Sequence, residues 1–249
     1  MKHSLIEISE EENKLVTDAK NKYGKVYENA ENLVFLLWDF LKSTEADAWI
    51  FVSFLSQVQK FAVLSLLSMI RQHNAQSLMN IRQVFEAGVL AVYALHEIND
   101  TTYYYKDQNG IAYVKEDIKE KAYKWLEENH KSHSDTIKNQ KKTINNMWTH
   151  SSILLTSLNF QLEKEENFFN SFFDKEDELQ TKNNLWFLAN SCWGLLDLFA
   201  KEITKTKMAK LSDNFIAKMR QYGNDNESLK KELMNNPRIQ KWTNINKKN

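Results

Sequence analysis

Apolar positions along this chain recur at helical rather than strand spacing, and in one stretch, Gln76 to Glu97 (QSLMNIRQVFEAGVLAVYALHE), they become nearly continuous. A segment of that kind must be covered on most of its faces, which predicts the central helix of a helical core. An equally apolar run, from about Glu45 to Arg71, precedes it across the short RQHNA break, so the two predict an antiparallel helical hairpin. Trp49 to Ile70 has the length of a membrane span. Gln57, Gln59 and Lys60 interrupt its middle, however, where polar groups are expensive in hydrocarbon, and a buried helix is the better reading.

Ahead of this hairpin, Glu11 to Lys42 reads as a long amphipathic helix with Leu15, Ala19, Tyr23 and Val26 on one stripe, then Leu33, Leu37, Phe40 and Leu41. Ser43 or Thr44 is placed to cap the helix that follows. Asn99 to Val114 breaks the helical pattern. Two short aromatic or β-branched runs flank DQNG, and Asn109-Gly110 predicts a tight hairpin turn that must pack on the helices. Lys115 to Asn129 returns to helical spacing, and the HKSHSD loop offers Ser132 and Ser134 as caps for a helix from about Asp135 through Leu162. Phe168 to Asp177 is an aromatic, acidic connector. Leu179 to Lys205 is the last core-quality helix, followed by weaker ones near Ser212 to Tyr222 and Glu227 to Asn235 and a fraying tail. The expectation is an all-α helical bundle with a small β-hairpin near 101–114. It forms a single domain over 1–249, with its core at about 11–205 and peripheral helices within 206–240.

Composition sharpens this picture. Five Gly and one Pro, Pro237, leave few forced breaks, and 42% apolar residues in 249 suffice for a sizeable core. Lys plus Arg and Asp plus Glu both number 33, so net charge gives no global case for nucleic acid or an anionic membrane as partner. The single Cys192 falls on an apolar helix face, which predicts a buried, reduced thiol. MKHSLIEISEEENK lacks the apolar centre of a secretion signal, and a cytoplasmic location is expected.

No phosphate-cradling Gly loop, Cys pair at metal-ligand spacing, Gly-x-Ser-x-Gly elbow or His-Glu-x-x-His helix occurs, so no cofactor or metal is expected. His130 and His133 lie in a Lys/Ser-rich loop with only Asp135 beside them and read as surface residues. Two features remain. Arg82 and Glu86 share a helix face at i,i+4 in an apolar setting, where a charge needs a partner. In INNMWTHSS, Asn146 and His150 share a face that continues to Ile153 and Leu154, which points His150 inward as an acid, base or hydrogen-bonding group.

Arg71, Ser77, Arg82-x-x-x-Glu86 and then His150-Ser151, within roughly Glu45 to Leu162, form a pattern that resembles bacterial helical proteins similar to the HEPN-like group. The resemblance implies a helical bundle, often dimeric. In active members it implies a metal-independent ribonuclease whose motif is an Arg, often followed by a polar residue, and then a His. Here His150 matches the His and Asn146 the polar position, but Asn145 stands where the Arg belongs. An Arg can hold a scissile phosphate through paired, charge-assisted hydrogen bonds that Asn cannot reproduce. Arg82 is then the candidate for the missing cation.

The reading that results is a self-associating binding or interaction module with a polar pocket around Arg82, Glu86 and His150. Arg71, Asn145 and Asn146 are added binding candidates, and no membrane partner is expected. The rival is a HEPN-type endoribonuclease in a toxin or phage-defence setting, with RNA as partner, His150 as acid/base and Arg82 as phosphate clamp. A third reading makes Arg82, Glu86 and His150 a purely structural network tying helices together.

Overall fold

The first helix starts at Ser4, whose hydroxyl accepts from the Glu7 amide while the Glu7 carboxylate accepts from the Ser4 amide, a reciprocal cap that satisfies two otherwise unpaired donors. The computed structural model describes residues 4–148, 160–162, 168–175 and 177–246. Helix α1 spans Leu5–Asp39 and is interrupted at Gly24, where φ of 54° and ψ of −136° are open only to a residue without Cβ. It ends in the short strand β1, Leu41–Thr44. Ser43 and Thr44 therefore do not cap the next helix. They pair antiparallel with a later strand, and α2 (Trp49–Ile70) is entered through a single 3₁₀ turn with no side-chain cap.

The predicted hairpin of apolar helices is present as α2 and α3 (Asn74–His96), which make the most extensive helix contact among the described elements. Both segments are long and apolar enough to cross a membrane by length and composition. Helix α3 is mostly buried by its neighbours, whereas α2 presents Ser53, Ser56, Gln57 and Lys60 on an exposed face. The turn between them is tied down from two sides. Asp174 accepts from the backbone and side-chain nitrogens of Asn74 at 2.6 and 3.1 Å, and His73 stacks on Phe173.

Strands β2 (Tyr104–Lys106) and β3 (Ala112–Val114) form the expected hairpin. Its loop is longer than a two-residue turn. Only Gly110 takes positive φ, at 78°, while Asp107 Oδ1 accepts from the amides of Asn109 and Ile111, so a side chain organises the loop. Helices α4 (Ile118–Asn129) and α5 (Lys131–Trp148) follow, both packed on α3. Helix α5 begins before Ser132 and Ser134, which are internal to it rather than caps. Residues 160–162 are in strand β4, paired with β5 (Phe168–Asn170), so the helix does not extend through Leu162.

Helix α6 (Glu178–Thr206) packs against α1, α2 and α3 and carries the fully buried Cys192, whose thiol burial pushes up to about 12. Strand β6 (Ala209–Leu211) pairs with β1. Beyond it, one continuous helix α7 (Phe215–Met234) replaces the two weaker helices expected, and α8 (Pro237–Asn246) closes the described chain. Phe215, Met219 and Leu229 of α7 are part of the hydrophobic core. The aromatic centre of that core joins Phe40, Phe51, Phe199 and Phe215, with ring centroids 5.8 to 6.0 Å apart.

Candidate functional site

Arg82 and Glu86 are one turn apart on α3, at the junction where α4 and α5 cross it. The Arg82 Nε donates to Glu86 Oε1 at 3.2 Å, as the i,i+4 spacing predicts. Two lysines from the crossing helices complete the cluster. Lys119 of α4 donates to Glu86 Oε2 at 2.7 Å, and Lys141 of α5 lies 3.0 Å from Oε1. Lys141 also donates to the Tyr123 hydroxyl at 2.7 Å and sits 4.7 Å from the centroid of that ring.

Burial by itself raises the Glu86 carboxyl, but hydrogen bonds from Lys119 and Lys141 outweigh it and bring the group from 4.5 down to about 2. The Tyr123 phenol moves to about 12, through burial first and then the Glu86 charge. Among the described residues, three cations against one carboxylate leave two positive charges in excess (3 − 1 = 2). Those charges can be approached. The Arg82 side chain is 34% exposed and that of Lys119 51%, while Lys141 and Glu86 are largely covered.

Asn145 lies one turn beyond Lys141 on the same face of α5 and is half-buried. Asn146 belongs to the last part of that helix, and His150 lies outside the described residues. Arg71 is elsewhere. It ends α2, and its nearest charge is Glu12 of α1 at 3.7 Å, so it is not part of the Glu86 cluster. Of the six candidates, the structure brings Arg82 and Glu86 into direct contact, sets Asn145 near their lysine partner and separates Arg71 from them.

The histidines read as surface residues are not surface decoration. His130, at the α4–α5 joint, hydrogen-bonds through Nε2 to Glu202 at 2.8 Å, and His133 does the same to Asp197 at 3.0 Å, both acids being on α6. Glu202 has no solvent exposure, and Lys205 Nζ lies 3.3 Å from its other oxygen. His133 first, then Lys201, hold the Asp197 carboxyl below its usual range. One signal for this was present in the chain. Leu195, Phe199 and Glu202 follow helical spacing, and an acid in phase with core positions needs a partner. No group of three or more His, Cys, Asp or Glu that could hold a metal occurs among the described residues.

Fold and cluster together define a mostly helical protein with a cation-rich charged junction between three of its helices. No protein-family model, curated protein or solved structure matches the chain. The HEPN resemblance accordingly rests on its short motifs alone.

Proposed function

We propose that this chain is a helical binding module whose Glu86 junction receives an anionic group, a phosphate or carboxylate, of its ligand. The observation that supports this is the excess of two positive charges around Glu86 among the described residues. Glu86 holds Arg82, Lys119 and Lys141 close together, so the cost of gathering them is met on folding, and an incoming oxyanion meets donors already in place. Arg82 uses Nε toward Glu86, which leaves its terminal nitrogens for a paired contact with the ligand. Titration calorimetry with pyrophosphate at low salt tests the reading. Saturable binding is expected, weakened about tenfold by Arg82→Gln or Lys119→Gln and by added salt. Absence of saturable binding to wild type overturns it.

A second reading, the metal-independent endoribonuclease, is favoured by one observation: Lys141 supplies a cation one turn before Asn145, on the helix that carries Asn145 and Asn146. That enzyme would cleave single-stranded RNA in chelator-containing buffer and lose the activity on His150→Ala with its fold intact. The expected result is no turnover by wild type, because the chain as a whole offers no electrostatic capture of RNA. Chelator-resistant cleavage that depends on His150 reverses the order of the two readings.

A further inference from the structure

On the other edge of α5 from Lys141, helices α5 and α6 stand apart over α3 and enclose a groove of about 290 Å³, near the lower end of small-molecule sites. Its two walls are in antiparallel register, since His130 pairs with Glu202 and His133 with Asp197. Seven residues onward along α5 from His133 is Gln140, and seven residues back along α6 from Asp197 is Asn190 (140 − 133 = 197 − 190 = 7). At 1.5 Å rise per residue, both carboxamides therefore lie about 10 Å from the His133–Asp197 end, on opposite walls.

The groups lining this groove retain hydrogen-bonding capacity. Gln140 has no hydrogen-bond partner among the described residues, and Asn190 uses only its oxygen, accepting from Asn226 at 3.3 Å. Asp197 receives both His133 and Lys201 on Oδ2, so among the described residues Oδ1 remains an open acceptor at the far end. Between the ends, Thr136 and Ser191 turn their hydroxyls to helix carbonyls and the rest of the lining is apolar: Phe85 and Leu195 are buried, and the indole of Trp193 is fixed by its hydrogen bond to the Met219 carbonyl at 3.1 Å. Among the described lining residues Asp197 is the only carboxylate, and Lys201 and His133 flank it, so none of them calls for a charged ligand. Carboxamides offer a donor and an acceptor side by side, which matches the edge of a planar heterocycle. A fixed aromatic wall suits its face, and a carboxylate oxygen suits an attached hydroxyl.

We propose that this groove binds a nucleoside, with the base edge between Gln140 and Asn190, the ring against Trp193 and a sugar hydroxyl donating to Asp197 Oδ1. The site is separate from the Glu86 junction and does not depend on it. The test is titration calorimetry of the full chain with adenosine, guanosine, cytidine and uridine, repeated with the free base and the 2′,3′-dideoxynucleoside of whichever binds. At least one ribonucleoside is expected to saturate at one site per chain below about 1 mM, with free base and dideoxy form weaker by about tenfold. Gln140→Leu removes no bond to a described residue, so it should keep the melting temperature while weakening the nucleoside about tenfold. Arg82→Gln should leave nucleoside binding unchanged. The proposal is overturned if no nucleoside saturates, if Gln140→Leu binds as wild type does, or if the loss follows Arg82→Gln instead.

Discussion

Glu86 shows how one carboxylate can hold together side chains from three elements. Its side chain is only 17% exposed, so the lowering from 4.5 to about 2 converts to a contribution of about 3 kcal/mol at neutral pH. The folded value lies below the unfolded one. That stability is therefore present in full above about pH 4.5 and is lost as pH falls toward 2. Glu86→Gln should cost about 3 kcal/mol in urea unfolding at pH 7, and the difference from wild type should shrink steadily between those two pH values. A constant difference down to pH 2 would show that Glu86 acts through packing rather than charge. Asp197 shares the sign of this dependence, so His133→Ala should destabilise most above the usual carboxylate range and least in acid.

At the scale of elements, one continuous α7 stands where the periodicity predicts two helices, and Gly223 falls in the gap between them. A Cβ there would lie 2.6 Å from Trp193 Nε1, so the missing side chain lets α7 pass over the indole that lines the α5–α6 groove. Gly223→Ala would gain helix propensity yet drive a rigid ring off its hydrogen bond to Met219. A net loss of about 1–3 kcal/mol is expected, with a change in Trp fluorescence. A stabilised variant with unchanged emission would mean that the indole yields freely. Gly24 illustrates the opposite case, since a Cβ there meets nothing within 4 Å. The strain is in the backbone alone, and Gly24→Ala should still cost about 1–3 kcal/mol by thermal melting. The helices α2, α3 and α6 were legible because each repeats apolar residues over many turns. Strands β1 and β6 were not, since three or four residues carry no period and each forms only against a partner about 170 positions away.

For the whole molecule, the closing of the chain on itself is decisive. Lys42 of β1 pairs with Asp213 just beyond β6, and Phe215 packs on Phe40, so the segment after α6 completes a core begun at the end of α1. Removing residues 207–249 should therefore abolish cooperative thermal unfolding and expose surface to a hydrophobic dye, because Phe40 and β1 lose their cover. A truncated chain that melts sharply would show that residues 1–206 suffice. Within the sequence, local periodicity determined the helical class, the central hairpin of α2 and α3, the β-excursion and the Arg82–Glu86 contact, all of which depend on residues a few positions apart. Only the tertiary structure decided that Lys119 and Lys141 share Glu86, that Arg71 turns to Glu12, and that His130 and His133 find acids 72 and 64 residues away. Charges act through space, and helix packing sets which distant side chains become neighbours.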